Sequence, residues 1–220
     1  KNFIKETDKV LLLLCMLASA FGCVSVLSAT MWTVGEGDRF SRDFIVMCAA
    51  CIVGVIISII ISLIDYEFIM KMAPFIGLFC IGIMLLLFAV GVGPIERPDA
   101  KTWLKIGSVF FQPSELVKIG FIITFGVHLE KLKANINHPI SILQLGIHAL
   151  IPIVLVMKSG DMGSALVFMI IAVAMLFVAG LHWGYFLGGG LLVVAALPLA
   201  WVFVLDNIQK ERFLALAYPE

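Results

Sequence analysis

Charged side chains are scarce in this sequence. They make up 14% of its 220 residues, whereas hydrophobic residues make up 62%, and an ordinary globular domain has roughly 45 to 50% apolar residues. A soluble protein of this length needs far more polar side chains to cover its surface, so one large cytosolic core is excluded. Lipid is therefore expected to be the solvent for most of the chain.

Long stretches contain no charged residue at all, namely residues 10–35, 44–64, 72–95, 134–157 and 162–205. A helix that crosses a bilayer needs about 20 mainly apolar residues. The last stretch is long enough to cross twice, with a turn at His182–Gly184. A further span near 113–129 is interrupted only by Glu115 and Lys118. The sequence therefore predicts one membrane domain over residues 1–220, with seven spans at about 10–32, 44–64, 72–93, 113–130, 140–157, 162–181 and 184–205.

The sequence also lacks the short alternating apolar and polar segments that transmembrane β-strands require. Its apolar runs are continuous instead. The predicted fold class is therefore all-α, a polytopic bundle of transmembrane helices.

Metal ligands and disulfide partners are few. The five cysteines all lie inside predicted spans, where a thiol packs as a small apolar group, so no disulfide framework is expected. Cys48 and Cys51 have a metal-like spacing but no histidine near them in sequence, so packing is the favoured interpretation. The four histidines share no metal-ligand spacing, and no metal site is predicted at His128, His138, His148 and His182.

The net charge is zero, so nothing in the totals favours nucleic acid as a partner. Lys and Arg in short loops favour the cytoplasm. With a cytoplasmic N-terminus, the inner segments carry Lys1, Lys5, Lys9, Lys71, Lys131 and Lys133. The outer segments carry Arg39, Arg42, Arg97, Lys101, Lys105, Lys158, Lys210 and Arg212. Either the chain is inverted, or the outer cations hold an anionic substrate at the outer leaflet.

Glu115 and Lys118 lie just inside a predicted span, where an ionisable side chain costs several kcal/mol unless it is paired or wet. Their spacing of three places both on one helix face. Two interpretations follow: the residues neutralise each other near the helix end, or they line a water-filled cavity that faces the substrate. The cavity is the favoured interpretation.

Asp161 precedes the apolar run that begins at Met162, where a carboxylate suits the N-cap of a helix. Capping alone would explain it. If the two helices meet, however, Asp161 also lies near Glu115 and Lys118, because both helices begin at the same membrane face. The sequence leaves both roles open.

Several motifs resemble those of one known family. The stretch Trp103–Gly107, followed by Gln112–Lys118 (QPSELVK), resembles the W-I-x-L-G and Q-P-S-E-x-x-K signature of the shape, elongation, division and sporulation proteins RodA, FtsW and SpoVE. Ser159–Phe168 is similar to the family's D-L-G-T-A-L-V-F segment, and the tail Ile208–Pro219 is similar to its Y-Q-x-x-R-x-x-x-F-x-x-P segment. The resemblance extends from Asp8 to the end of the chain.

This resemblance implies a peptidoglycan glycosyltransferase of the bacterial plasma membrane. Such an enzyme polymerises lipid II at the outer face, works with a class B penicillin-binding protein and has a cytoplasmic N-terminus. The expected catalytic residues are Glu115, Lys118 and Asp161, and the expected substrate-binding residues are Trp103, Lys101, Lys105, Gln112 and Ser114. Lys118, Lys101 and Lys105 are the candidates for holding the pyrophosphate, and a divalent cation is a possible cofactor.

The chain also departs from the family. Members usually have about ten spans and an acidic residue in a large outer loop, whereas seven spans are predicted here and no such motif occurs. Asp99 stands where the family often has Gly, and Lys101 or Thr102 stands where it often has Arg. The chain is therefore expected to be the N-terminal part of a longer protein and to be inactive alone.

Two other functions fit the same residues. In a transporter or flippase for lipid-linked sugars, Glu115, Lys118 and Asp161 would line a translocation path. In a non-catalytic scaffold for a synthase, small residues on the first span would pack against a partner, namely Ala18, Gly22, Ser25 and Ala29.

Overall fold

The computed structural model describes residues 8–33, 40–93, 100–107, 109–203 and 210. Over these residues it contains seven long helices: α1 Lys9–Thr30, α2 Arg42–Leu63, α3 Tyr66–Val90, α4 Pro113–Leu132, α5 Pro139–Lys158, α6 Met162–Val178 and α7 Trp183–Phe203. Two strands, β1 Leu104–Ile106 and β2 Val109–Phe111, lie between α3 and α4. The seven helices confirm the predicted helical membrane fold. Arg39, Arg97, Asp99, Arg212 and the tail motif at 208–219 lie outside the described residues.

The surface of the helices is suited to lipid. By length and composition four helices can cross a membrane: Lys9–Thr30, Arg42–Leu63, Tyr66–Val90 and Pro139–Lys158. Helix α6 is equally apolar but only 17 residues long. Large apolar side chains such as Leu78 and Val178 are exposed, which is costly in water and favourable in hydrocarbon. The protein is a multi-pass membrane protein.

The turn between α6 and α7 differs from the predicted one. Helix α6 ends at Val178, and α7 already begins at Trp183, so the chain turns over Ala179–His182 rather than at His182–Gly184. Gly180 has a φ of 89° in this turn, a conformation that glycine adopts without steric cost.

The chain divides into two compact units, Lys1–Met72 and Ala73–Glu220. In the first unit, Asp8 caps α1 by accepting hydrogen bonds from the amides of Val10 and Leu11. Ser41 caps α2 by accepting one from the amide of Phe44. All five cysteines are free.

In the second unit α4 is packed against α5 and α6. Phe121 and Phe125 stack with ring centroids 5.0 Å apart, and Phe168 of α6 lies 5.5 Å from Phe121. Helix α3 packs against α4 through small residues, because Gly120 leaves room for the Cys80 side chain and Gly77 contacts Thr124. The core lies around α4, so its N-terminus has a fixed position.

A β-hairpin joins α3 to α4, in a segment for which no strands were predicted. Strands β1 and β2 pair antiparallel, with Leu104 opposite Phe111. Gly107 has a φ of 61° in the turn, as tight hairpin turns require. Trp103 forms an isolated antiparallel bridge with Val92, which fixes the start of the hairpin to the end of α3.

Candidate functional site

The N-termini of α4 and α6 lie at the same end of the second unit. Gln112, just before α4, donates a hydrogen bond of 2.6 Å from Nε2 to Oδ2 of Asp161, just before α6. The other carboxylate oxygen of Asp161 accepts from the amide of Ser164 at 2.9 Å. Asp161 is therefore the N-cap that the sequence predicted, and it also joins the two helix starts.

Gln112 does not cap α4 with its side chain. It occupies the N-cap position of α4, but its side chain makes no capping hydrogen bond. Pro113 follows at the first helical position, where its missing N–H group costs nothing. Because the Gln112 side chain is bound to Asp161, the first amides of α4 receive no side-chain oxygen from the N-cap residue.

Ser114 is 3% exposed, and its hydroxyl has no hydrogen-bond partner in the structure. A buried hydroxyl without a partner costs about 1 to 3 kcal/mol, so a group that reached it would gain a hydrogen bond at low cost. It lies in the first turn of α4, at the positive end of the helix dipole.

Glu115 and Lys118 form the ion pair that their spacing indicated, with 2.7 Å between Nζ and Oε1. The Lys118 side chain is 18% exposed and the Glu115 side chain is 58% exposed. The pair is therefore solvated on its carboxylate side rather than fully buried, and Glu115 fixes the direction of the Lys118 ammonium group. Among the described residues, neither Glu115 nor Lys118 makes a hydrogen bond or an ion pair with Asp161.

Lys101 lies between three helices. Its backbone amide donates to the carbonyl of Ser159 at 2.9 Å, which fixes the loop to the α5–α6 turn. Its ammonium group donates to the carbonyl of Phe88, in the last turn of α3. A cation is favourable at a helix C-terminus, so in this structure the side chain stabilises the end of α3.

Trp103 and Lys105 belong to the hairpin. Trp103 is half-buried and exchanges two backbone hydrogen bonds with Val92, of 2.8 and 3.0 Å. Lys105 is exposed, and its ammonium group lies 6.0 Å from the ring centroid of Phe110. This lysine has no ion-pair partner among the described residues.

The site contains both cationic and anionic groups. The positive end of α4 and the ammonium group of Lys118 favour negative charge, whereas the Asp161 carboxylate already lies at the positive end of α6. Glu115 and Asp161 are each engaged separately, one with Lys118 and the other with Gln112 and Ser164. Nowhere in the described part of the chain do three His, Cys, Asp or Glu side chains meet as metal ligands, so no step is assigned to a divalent cation.

The sequence analysis missed one pairing. His128 of α4 and His148 of α5 lie with their Nδ1 atoms 2.9 Å apart. Their equal distance from His138, where the chain turns back into α5, could have indicated this. In an antiparallel helix pair, residues equidistant from the turn lie opposite each other.

Comparison with known proteins places these features in context. The sequence model of one family, described as cell cycle protein and named for FtsW, RodA and SpoVE, matches residues 8–220. A probable peptidoglycan glycosyltransferase FtsW of Geobacter metallireducens is 31% identical over 98% of this chain and 56% of its own length. The peptidoglycan glycosyltransferase MrdB of Escherichia coli is 26% identical over 97% of this chain and 55% of its own.

Solved structures agree in fold. The crystal structure of the rod shape determining protein RodA of Thermus thermophilus matches with a TM-score of 0.71 and 23% identity, over 87% of this chain and 60% of that one. A peptidoglycan synthase complex that coordinates polymerization and crosslinking matches with a TM-score of 0.70 and 20% identity, over 92% of this chain and 59% of that one. The present chain thus spans little more than half the length of the curated relatives it matches.

Proposed function

Because the chain belongs to the cell cycle protein family of FtsW, RodA and SpoVE, we propose that the full-length protein is a peptidoglycan glycosyltransferase. It polymerises lipid II into glycan strands in cell elongation, division or sporulation. The relatives named above are peptidoglycan glycosyltransferases, which supports this reaction. The proposal concerns the full-length protein, since the chain spans just over half of those relatives.

One observation carries the assignment: the Gln112–Asp161 hydrogen bond brings two helix N-termini together, and Lys118 lies in the second turn of one of these helices. Such an arrangement attracts a phosphate group. Lipid II carries its sugars on a pyrophosphate at the membrane surface, and this pyrophosphate is the leaving group of the polymerisation. The site therefore suits the part of the substrate on which negative charge accumulates as the glycosidic bond forms.

Each side chain has a separate role in this proposal. Lys118 stabilises the departing pyrophosphate, and Glu115 holds its ammonium group in position. The free hydroxyl of Ser114 donates to a phosphate oxygen, while Gln112 and Asp161 keep the two helix starts together. Lys105 and Trp103 contact the substrate from the hairpin, and Lys101 holds that hairpin against α3. Deprotonation of the acceptor hydroxyl needs a base, and none of these residues is assigned to it.

The N-terminus lies in the cytoplasm of a bacterium, and the site lies at the outer face of the plasma membrane. This orientation places Lys101, Lys105 and Lys158 outside, where a positive charge is otherwise uncommon. A substrate pyrophosphate at the outer face would explain these lysines, and this supports the orientation. The partner is a class B penicillin-binding protein, which crosslinks the strands. The matching synthase complex, in which polymerization and crosslinking are coordinated, supports such a partner.

Lipid II turnover by the full-length protein, with and without the ion pair, tests the proposal. The double substitution Glu115→Gln/Lys118→Met should leave insertion and expression normal and lower polymerisation at least ~100-fold, the scale of a lost contact to developing charge. Glu67→Gln/Lys71→Met is the matched control, because it removes the same charges from an exposed stretch near the start of α3.

If the Glu115/Lys118 double variant polymerises lipid II at the wild-type rate, the two residues only neutralise each other, which is the structural interpretation considered above. A wild-type protein that moves lipid-linked sugars across vesicles but makes no glycan would instead be a transporter. A protein with neither activity that still binds the synthase would be a scaffold.

A further inference from the structure

Two histidines meet in the membrane-spanning part of the second unit, away from the proposed polymerase site. His128 Nδ1 lies 2.9 Å from His148 Nδ1, and the two rings have centroids 5.1 Å apart. His148 Nε2 lies 3.2 Å from the hydroxyl of Thr124, which donates to the carbonyl of Phe121. The surrounding side chains are aromatic, since Phe125 meets the His148 ring edge-on at 5.4 Å.

These contacts form a directed chain of hydrogen bonds. The Thr124 hydroxyl has one proton, and it donates that proton to Phe121. His148 must then donate from Nε2 to Thr124, which leaves its Nδ1 as an acceptor. His128 therefore carries its proton on Nδ1 and donates to His148, and its Nε2 remains a free acceptor. Every donor is used in this arrangement, whereas the opposite tautomers would take the Thr124 proton away from the Phe121 carbonyl.

Two cavities are lined by residues of this chain of hydrogen bonds. One, of about 250 Å³, is lined by residues that include His128, His148, Thr124 and Lys131. The other, of about 180 Å³, is lined by His148 and Thr124 together with apolar residues such as Met84 and Val117. A water molecule occupies about 30 Å³ in the liquid, so the first cavity has room for water next to polar partners. Lys131 belongs to the last turn of α4, near the membrane surface.

We propose that His128, His148 and Thr124 form an intramembrane proton-binding site, which takes up one proton from the cavity beside Lys131 and shares it between the two rings. This inference is independent of the polymerase reaction. A hydronium ion gives its proton to Nε2 of His128 and leaves as water. The Nδ1 proton of His128 then moves along the existing hydrogen bond to His148, so the single added charge is distributed over both rings.

The pair is limited to one added proton. With two, both Nδ1 atoms would carry hydrogen across 2.9 Å, and the hydrogen bond would become a repulsion between like charges. The other titratable groups lining the two cavities are Lys131 from α4 and Cys80 from α3. Helix α6 contains no titratable side chain, and His148 is the only titratable residue of α5 that lines either cavity. No carboxylate among the described residues lining these cavities is available to neutralise a second charge.

Nitrogen-15 NMR of the histidine-labelled full-length protein in lipid nanodiscs tests the site without reference to activity. The signals are assigned from single His→Gln variants. At about pH 8 His128 should show the Nδ1–H tautomer and His148 the Nε2–H tautomer, with coupling across the shared hydrogen bond. As the pH is lowered from about 8, the two rings together should gain one proton.

His138 and His182 are internal references, because they are exposed and each accepts only a backbone amide at Nδ1. Thr124→Val should abolish the Nε2–H preference of His148, and Thr124→Ser should retain it. The proposal is overturned if His128 and His148 each charge fully and independently, if neither ring gains a proton down to the lowest pH at which the protein stays folded, or if both rings show the same tautomer at about pH 8.

Discussion

Asp161 shows how one side chain can serve two purposes. Its Oδ1 atom begins α6 by accepting from the amide of Ser164, and its Oδ2 atom accepts from Gln112. The cap was predictable, because an Asp before an apolar helix is a recognised start signal. The Gln112 partner was not predictable, since that contact joins residues 49 positions apart.

Substitutions at Asp161 separate the cap from any role in catalysis. Asp161→Asn should keep stability within about 0.5 kcal/mol, because asparagine caps as well as aspartate and its amide can still bond to Gln112. Asp161→Ala should cost about 1 to 2 kcal/mol. Thermal unfolding in detergent measures both variants, and lipid II polymerisation is measured in parallel.

If the negative charge acts in the reaction, Asp161→Asn should be stable and yet polymerise more slowly. An Asn variant with both normal stability and normal turnover would leave Asp161 with the cap and the helix link alone. The two roles that the sequence left open are thereby distinguished.

Among the described helices, α3 and α4 approach each other most closely at a glycine, Gly120. A Cβ atom on Gly120 would collide with the Cys80 thiol and come within 3.2 Å of Ile76. Small residues that let helices approach are the usual means of packing in lipid, where hydrophobic attraction between helices is absent.

Gly120→Ala should therefore destabilise the protein by roughly 1 to 3 kcal/mol, as overpacking does, although alanine is the better helix former. Adding Cys80→Ala should restore most of this loss by removing the thiol. Gly146→Ala is the control, because no atom lies within 4 Å of its added Cβ. Equal unfolding temperatures for Gly120→Ala and Gly146→Ala would show that the contact tolerates a methyl group.

The helices were easier to predict than their contacts. Apolar runs of about 20 residues, one of them interrupted by Glu115 and Lys118, predicted the number of helices, because lipid permits few alternatives. The β-hairpin was missed since its strands have only three residues each, too few for a period to appear. The His128–His148 pair was missed because spacing was compared along the chain, whereas the contact depends on how α4 and α5 face each other.

The orientation of the whole chain in the membrane can be tested by cysteine labelling. With a cytoplasmic N-terminus, single cysteines at Lys105 and Lys158 should react with an impermeant thiol reagent in intact cells, and one at Asn135 should not. All three positions are exposed, and the five native cysteines are first replaced. Cell lysis should make Asn135 reactive, which controls for its accessibility. Labelling at Asn135 alone in intact cells would mean the opposite orientation.

The charges on α4 also have a consequence for biosynthesis. Helix α4 carries Glu115, Lys118, Glu130 and Lys131, and it is not among the four helices whose length and composition suit a membrane span by themselves. Each charge lowers the tendency of a nascent segment to leave the translocon for lipid. We therefore expect α4 to remain in the translocon until α5 has been synthesised. The two helices should then enter the bilayer together. A ribosome-bound chain ending shortly after α4 should crosslink to the translocon, and one extended well beyond Lys158 should crosslink to lipid.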